Sequence, residues 1–119
     1  SLIYEENGKI TNKKPSRGGY GIYENPIGKE INQSKICKEK GYWQYDFPKY
    51  LTLGKINSEI SFSNRKNKEL IEEILSEKEV GKLFIEPHLK NRLNLFNNKV
   101  RFHGCRAVRH DDHIHFQLK

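Results

Sequence analysis

The stretch from Asn64 to Leu118 restricts the fold most, because its hydrophobic period switches in a fixed order between helix and strand. Leu70, Ile71, Ile74 and Leu75 fall at i, i+1, i+4 and i+5, which predicts an amphipathic helix over 64–78 with Ser63 or Asn64 as its cap. Val80 to Glu86 reads as a strand stopped by Pro87. Leu89, Leu93 and Phe96 give a second short helical face before a turn at Asn97-Asn98. Val100-Arg101-Phe102 and Ala107-Val108 then lead into a last strand rich in histidine. Helix, strand, helix, strand in that order predicts an α+β domain, a small antiparallel sheet flanked by helices.

Residues 1–50 read differently. Lys14 to Gly21 holds one proline and three glycines in eight positions, so turns are favoured over regular elements. Leu2-Ile3-Tyr4 and Gly21-Ile22-Tyr23 are short strand candidates. The aromatic cluster from Gly41 to Tyr50 reads as a hydrophobic plug over the core, with a ligand-stacking platform as the alternative. A length of 119 residues fits one domain spanning the whole chain. With 34% hydrophobic and 31% charged residues, its core must be small and its surface heavily solvated.

No apolar run approaches the ~20 residues of a membrane span. The lack of methionine, even at position 1, points to a processed mature form or a trimmed chain. Cys37 and Cys105 allow one intramolecular bridge in an oxidising compartment, or two buried thiols, and lack the short spacing of a structural zinc site. A net charge of +7 attracts polyanions. The cations are nevertheless scattered among glutamates, as in Lys35-Ile36-Cys37-Lys38-Glu39-Lys40, without a nucleic-acid motif. A solubilising surface is therefore read ahead of nucleic-acid binding, and an anionic cell-wall polymer would feel the same field.

Three of the five histidines fall between His110 and His115. In a strand, His113 and His115 project from one face while Ile114 and Phe116 take the other. Two imidazoles can then serve one metal, or one a metal and one a substrate. Zinc is the natural ion, because it takes neutral imidazole and a three-ligand site keeps a fourth position open.

Glu79 to Leu93, where a strand runs into Pro87 and a short helix, and the closing His110-X-X-His113-X-His115 together resemble the penicillin-insensitive murein endopeptidases. These belong to the LAS group of zinc peptidases, with lysostaphin-type, D-Ala-D-Ala-type and hedgehog-type domains. The resemblance covers residues 64–118 and implies a LAS-like fold with zinc in a groove. It implies that His115 is a zinc ligand, His113 the catalytic base or transition-state stabiliser, and His110 an auxiliary histidine near the site. It also implies peptidoglycan or its peptides as partner and a periplasmic location, which suits a Cys37–Cys105 bridge.

The His-X6-Asp motif that supplies the other ligands in those enzymes has no counterpart here. No histidine precedes His88, and His115 alone cannot make a three-ligand site. His103 is the replacement ligand best placed to reach it. His88 reads as an exposed helix-start residue, Glu24 as a loop carboxylate, and Asp111-Asp112 as a turn pair or as partners orienting the histidines. The expectation is a peptidoglycan-directed LAS-like domain with a degenerate or altered zinc site, in a binding, regulatory or protein-interaction role. An active murein peptidase and a basic nucleic-acid-binding domain are the alternatives.

Overall fold

The computed structural model describes residues 2–15, 23–45, 59–107 and 109–119. Strands β1 (Tyr4–Glu6) and β2 (Lys9–Thr11) form a hairpin around Asn7-Gly8, both with positive φ (53° and 76°). Such a turn matches strand twist and fixes the register that sets Glu6 opposite Lys9. The strand expected at Leu2-Ile3-Tyr4 is therefore shifted toward the turn. Antiparallel β3 (Ser61–Phe62) pairs with the other edge of β1, giving the order β2-β1-β3.

Between the hairpin and β3 lies α1 (Gln33–Glu39), capped by the Asn32 side chain, which accepts from the Lys35 amide at 3.0 Å. Its buried residues are Ser34 and Cys37. The helix is pinned by a disulfide from Cys37 to Cys105, 68 positions away, with Cα atoms 5.3 Å apart. That bond fits an oxidising, extracytoplasmic location. No helix among the described residues is long and apolar enough to cross a membrane.

Helix α2 (Asn64–Ser76) starts where Ser63 caps it, its hydroxyl accepting from the Lys66 amide. The buried face is Asn67, Ile71 and Leu75, with Ile74 packed beside them. Leu70 instead lies on the solvent side, 36% exposed. Asn67 takes its place in the core by acting as a polar strut. Its side chain accepts from Ile3 N at 2.9 Å and donates to the Ile3 and Ser63 carbonyls at 2.8 Å each.

Strand β4 (Val80–Phe84) follows, and Pro87 opens α3 (Pro87–Arg92). Proline suits a helix's first turn because the missing N–H has no intrahelical partner there. Helix α3 then carries the chain back, so that β5 (Val100–Arg101) runs parallel to β4. Only β6 (His115–Leu118) is antiparallel to β4. In place of the expected single antiparallel sheet, the described residues form two three-stranded sheets, the second mixed in the order β5-β4-β6. The physical reason is the helix between β4 and β5, since a crossover returns the chain in the same direction whereas a hairpin reverses it.

Leu89 and Leu93 face the core as expected, but Phe96 is 75% exposed. The helix ends before it, Asn94 turns with φ of 53°, and Leu95 takes the buried position. The core gathers Leu2, Tyr4, Ile60, Ile71, Leu83 and Val100 with the residues just named. From the 41–50 aromatic cluster, Tyr45 is buried and Trp43 exposed, while 46–50 lie outside the described residues. So do Gly21 and Ile22 of the second strand candidate, and Val108.

Candidate metal centre

The centre lies at the carboxyl end of β4. Antiparallel pairing sets Phe84 opposite His115, the first residue of β6. Parallel β5 exits at the same end, so the segment after Arg101 delivers His103 beside them. Its imidazole stacks on Phe84, with ring centroids 4.1 Å apart and planes inclined by 21°. The Cys37–Cys105 bond anchors this segment two residues further on.

His110 arrives from the bend before β6 and completes the group. Ligand atoms of His103, His110 and His115 all lie within 4.8 Å of one another, an arrangement that could hold a metal ion. His110 Nε2 and His115 Nδ1 are 3.2 Å apart. Two nitrogens on one tetrahedral zinc sit roughly 3.3 Å apart, from bonds near 2.0–2.1 Å. The donor set, three imidazoles without thiolate, suits zinc and other borderline divalent metals.

Burial keeps His103 and His110 in the form a metal needs. Burial, then the charge of neighbouring His113, lowers the His110 pKa to about 4. Burial and the His115 charge also lower that of His103. A neutral ring offers a lone pair, whereas a protonated one offers none.

His113 is placed differently from the expectation. Strand β6 begins only at His115, so His113 sits in the preceding bend and does not share a strand face with it. Its ring centroid lies 5.0 Å from that of His110. Nδ1 meets the buried Asp112 carboxylate at 2.6 Å, which makes Nδ1–H the donor and fixes the orientation of the ring. Asp112 thus orients a histidine, as one reading of the aspartate pair anticipates.

Asp111 has another task. Its carboxylate accepts two hydrogen bonds from Arg109, whose guanidinium also lies over the Tyr23 ring at 4.0 Å and donates to Asn25 Oδ1. Burial pushes the Asp111 carboxyl upward, and Arg109 opposes the shift.

His88 is not the exposed helix-start residue expected, being 1% exposed. Its Nε2–H donates to the Glu24 carbonyl at 2.6 Å, and burial lowers its pKa. A proline-started helix points its first residues inward here because β4 delivers it straight from the core. Glu24 is no ligand either; its carboxylate pairs with Arg92 at 2.6 Å, and Glu30 joins the same guanidinium.

Several contributors are invisible to motif reasoning. Glu86, 1% exposed, accepts through Oε1 from the Tyr45 hydroxyl and from the His110 amide at 3.1 Å. Burial raises its pKa. Phe84 floors the triad, and Tyr45 O accepts from Arg109 N at 3.1 Å. The one available signal was a glutamate placed directly after the apolar run Leu83-Phe84-Ile85, where a buried acid needs a partner.

Compared with family models, curated proteins and solved structures, the chain matches none.

Proposed function

We propose that this chain is a zinc-dependent hydrolytic domain of LAS type, directed at peptide cross-links of peptidoglycan outside the cytoplasmic membrane. The observation that supports it is the convergence of His103, His110 and His115 within 4.8 Å. The case for a degenerate site rested on missing upstream ligands, and His103 and His110 offer replacement donors. When held there, zinc would supply Lewis acidity, polarising the scissile carbonyl and acidifying water.

The remaining work falls to residues of this chain. His113, aligned by Asp112, would take the proton released by the attacking water and return it to the leaving amine. Arg109, Asp111 and Glu86 hold the bend in place. The positive surface favours approach to an anionic wall polymer. The resemblance of residues 79–93 and 110–115 to murein endopeptidases supplies the substrate class.

The test is cleavage of purified cross-linked muropeptides by zinc-loaded protein. Chelator and His115→Ala should abolish both zinc retention and cleavage. His113→Ala should keep zinc and lose roughly 10²–10⁴-fold in kcat. A folded, zinc-loaded protein that leaves every cross-link intact refutes the hydrolytic reading.

A further inference from the structure

Among the groups that hold the bend, one buried carboxylate has contacts that lead directly to the least exposed histidine of the triad. Glu86 stands where β4 ends and α3 begins, two residues past Phe84. A carboxylate placed before a helix often caps it, yet here Glu86 makes no side-chain cap bond. Its Oε1 instead reaches across to the bend, accepting from the His110 amide at 3.1 Å and from the Tyr45 hydroxyl. The Glu86 amide donates in turn to the His110 carbonyl at 3.3 Å.

Both backbone groups of His110 are therefore held by one residue. Tyr45 closes the arrangement by accepting from the amide of Arg109, the residue before His110. The bend has no regular strand or helix of its own at this point, so these bonds stand in for a ladder. Enclosed from water, each of them is costly to lose.

We infer that Glu86 is a positioning residue of the histidine centre, its carboxylate fixing the backbone from which the His110 imidazole reaches the metal. This role rests on the metal-site reading. It differs from the usual outer-shell arrangement, in which a carboxylate grips the ligand's own ring; Glu86 grips the main chain and leaves both ring nitrogens of His110 free of it.

Competition titration with a zinc chelator, on the full chain and its variants, tests the assignment. Glu86→Ala removes the acceptor, and zinc affinity should fall roughly 10–100-fold, the usual scale for losing an outer-shell partner. Glu86→Gln keeps an oxygen in the same place and should restore affinity to within roughly 3-fold of wild type, a rescue expected if the hydrogen bond matters more than the charge. Should Glu86→Ala not fold, Glu86→Asp withdraws the carboxylate by one methylene and should still weaken zinc. The visible spectrum of the Co(II)-loaded variants should shift with the same order, because it reports ligand geometry rather than global stability. Equal zinc affinity and unchanged Co(II) spectra in folded Glu86→Ala or Glu86→Asp overturn the role of Glu86 alone. Wild-type protein that binds no zinc overturns the metal reading and this role with it.

Discussion

Breaking the Cys37–Cys105 bond should damage stability and the metal centre by separable amounts. The bridge closes a loop of 68 positions, and a chain-entropy treatment gives roughly 4 kcal/mol of stabilisation for a loop of that length. For a domain of this size that corresponds to a fall in Tm of roughly 15 °C. The local effect follows from what the bond anchors. Cys105 lies two residues beyond His103, and Gly104 between them adopts φ of 98°, so the segment has little regular structure of its own. With the bond gone, His103 keeps its stacking on Phe84 but loses the covalent tie to α1. Zinc affinity should then fall roughly 10-fold, the lower end of what supporting contacts provide. Scanning calorimetry of Cys37→Ala/Cys105→Ala without metal measures the first effect, and chelator competition at a temperature where the variant is folded measures the second. A variant with wild-type Tm and wild-type zinc affinity refutes both steps, while a lower Tm with unchanged affinity refutes only the anchoring of His103.

Acid should unfold the metal-free protein through His110. Its folded pKa of about 4 lies below the ordinary 6.5, so between these values the unfolded chain binds a proton that the folded chain refuses. The contribution of His110 to stability is full above about pH 6.5 and is lost as pH falls toward 4, by at most about 3 kcal/mol. Calorimetry across that window should show the fall, and His110→Gln should flatten it; an unchanged slope in the variant contradicts the assignment. Asn67→Ala strands the Ile3 amide that its side chain now serves, while the Ile3 carbonyl keeps the Ser63 amide as donor, and should cost about 1–3 kcal/mol in urea unfolding. A cost within error of zero would remove Asn67 as the strut between α2 and the amino-terminal strand.

Elements whose signal is local were readable. Helix α2 announces itself through Ser63 and the spacing of Ile71 and Leu75, and α3 through Pro87. Helix α1 was not, since Cys37 is the buried anchor of its seven residues and a covalent bond replaces the apolar face a helix would display. The hairpin at β1 and β2 has its cue in Asn7-Gly8, whereas the apolar pair Leu2-Ile3 lies before the strand it suggests. The direction of β5 depends on α3 acting as a crossover, which spacing alone does not reveal.

The candidate site divides in the same way. His115 was legible from a repeated histidine pattern. Its grouping with His103 and His110 depends on β4 receiving β5 in parallel and β6 antiparallel, a long-range arrangement. Strand alternation does not reach His113, which lies two residues before β6 in a bend where Asp112 governs the ring. Glu86 carries no motif at all, and its importance comes from the His110 backbone that meets it.

The central claim is that His103, His110 and His115 share one metal ion, and X-ray absorption at the zinc edge of protein loaded with one equivalent tests it most directly. The account predicts one tightly held zinc with three imidazole nitrogens at about 2.0 Å and no sulfur ligand, reduced to two imidazoles in His103→Ala. Failure to retain zinc, or a coordination sphere that His103→Ala leaves unchanged, would contradict it.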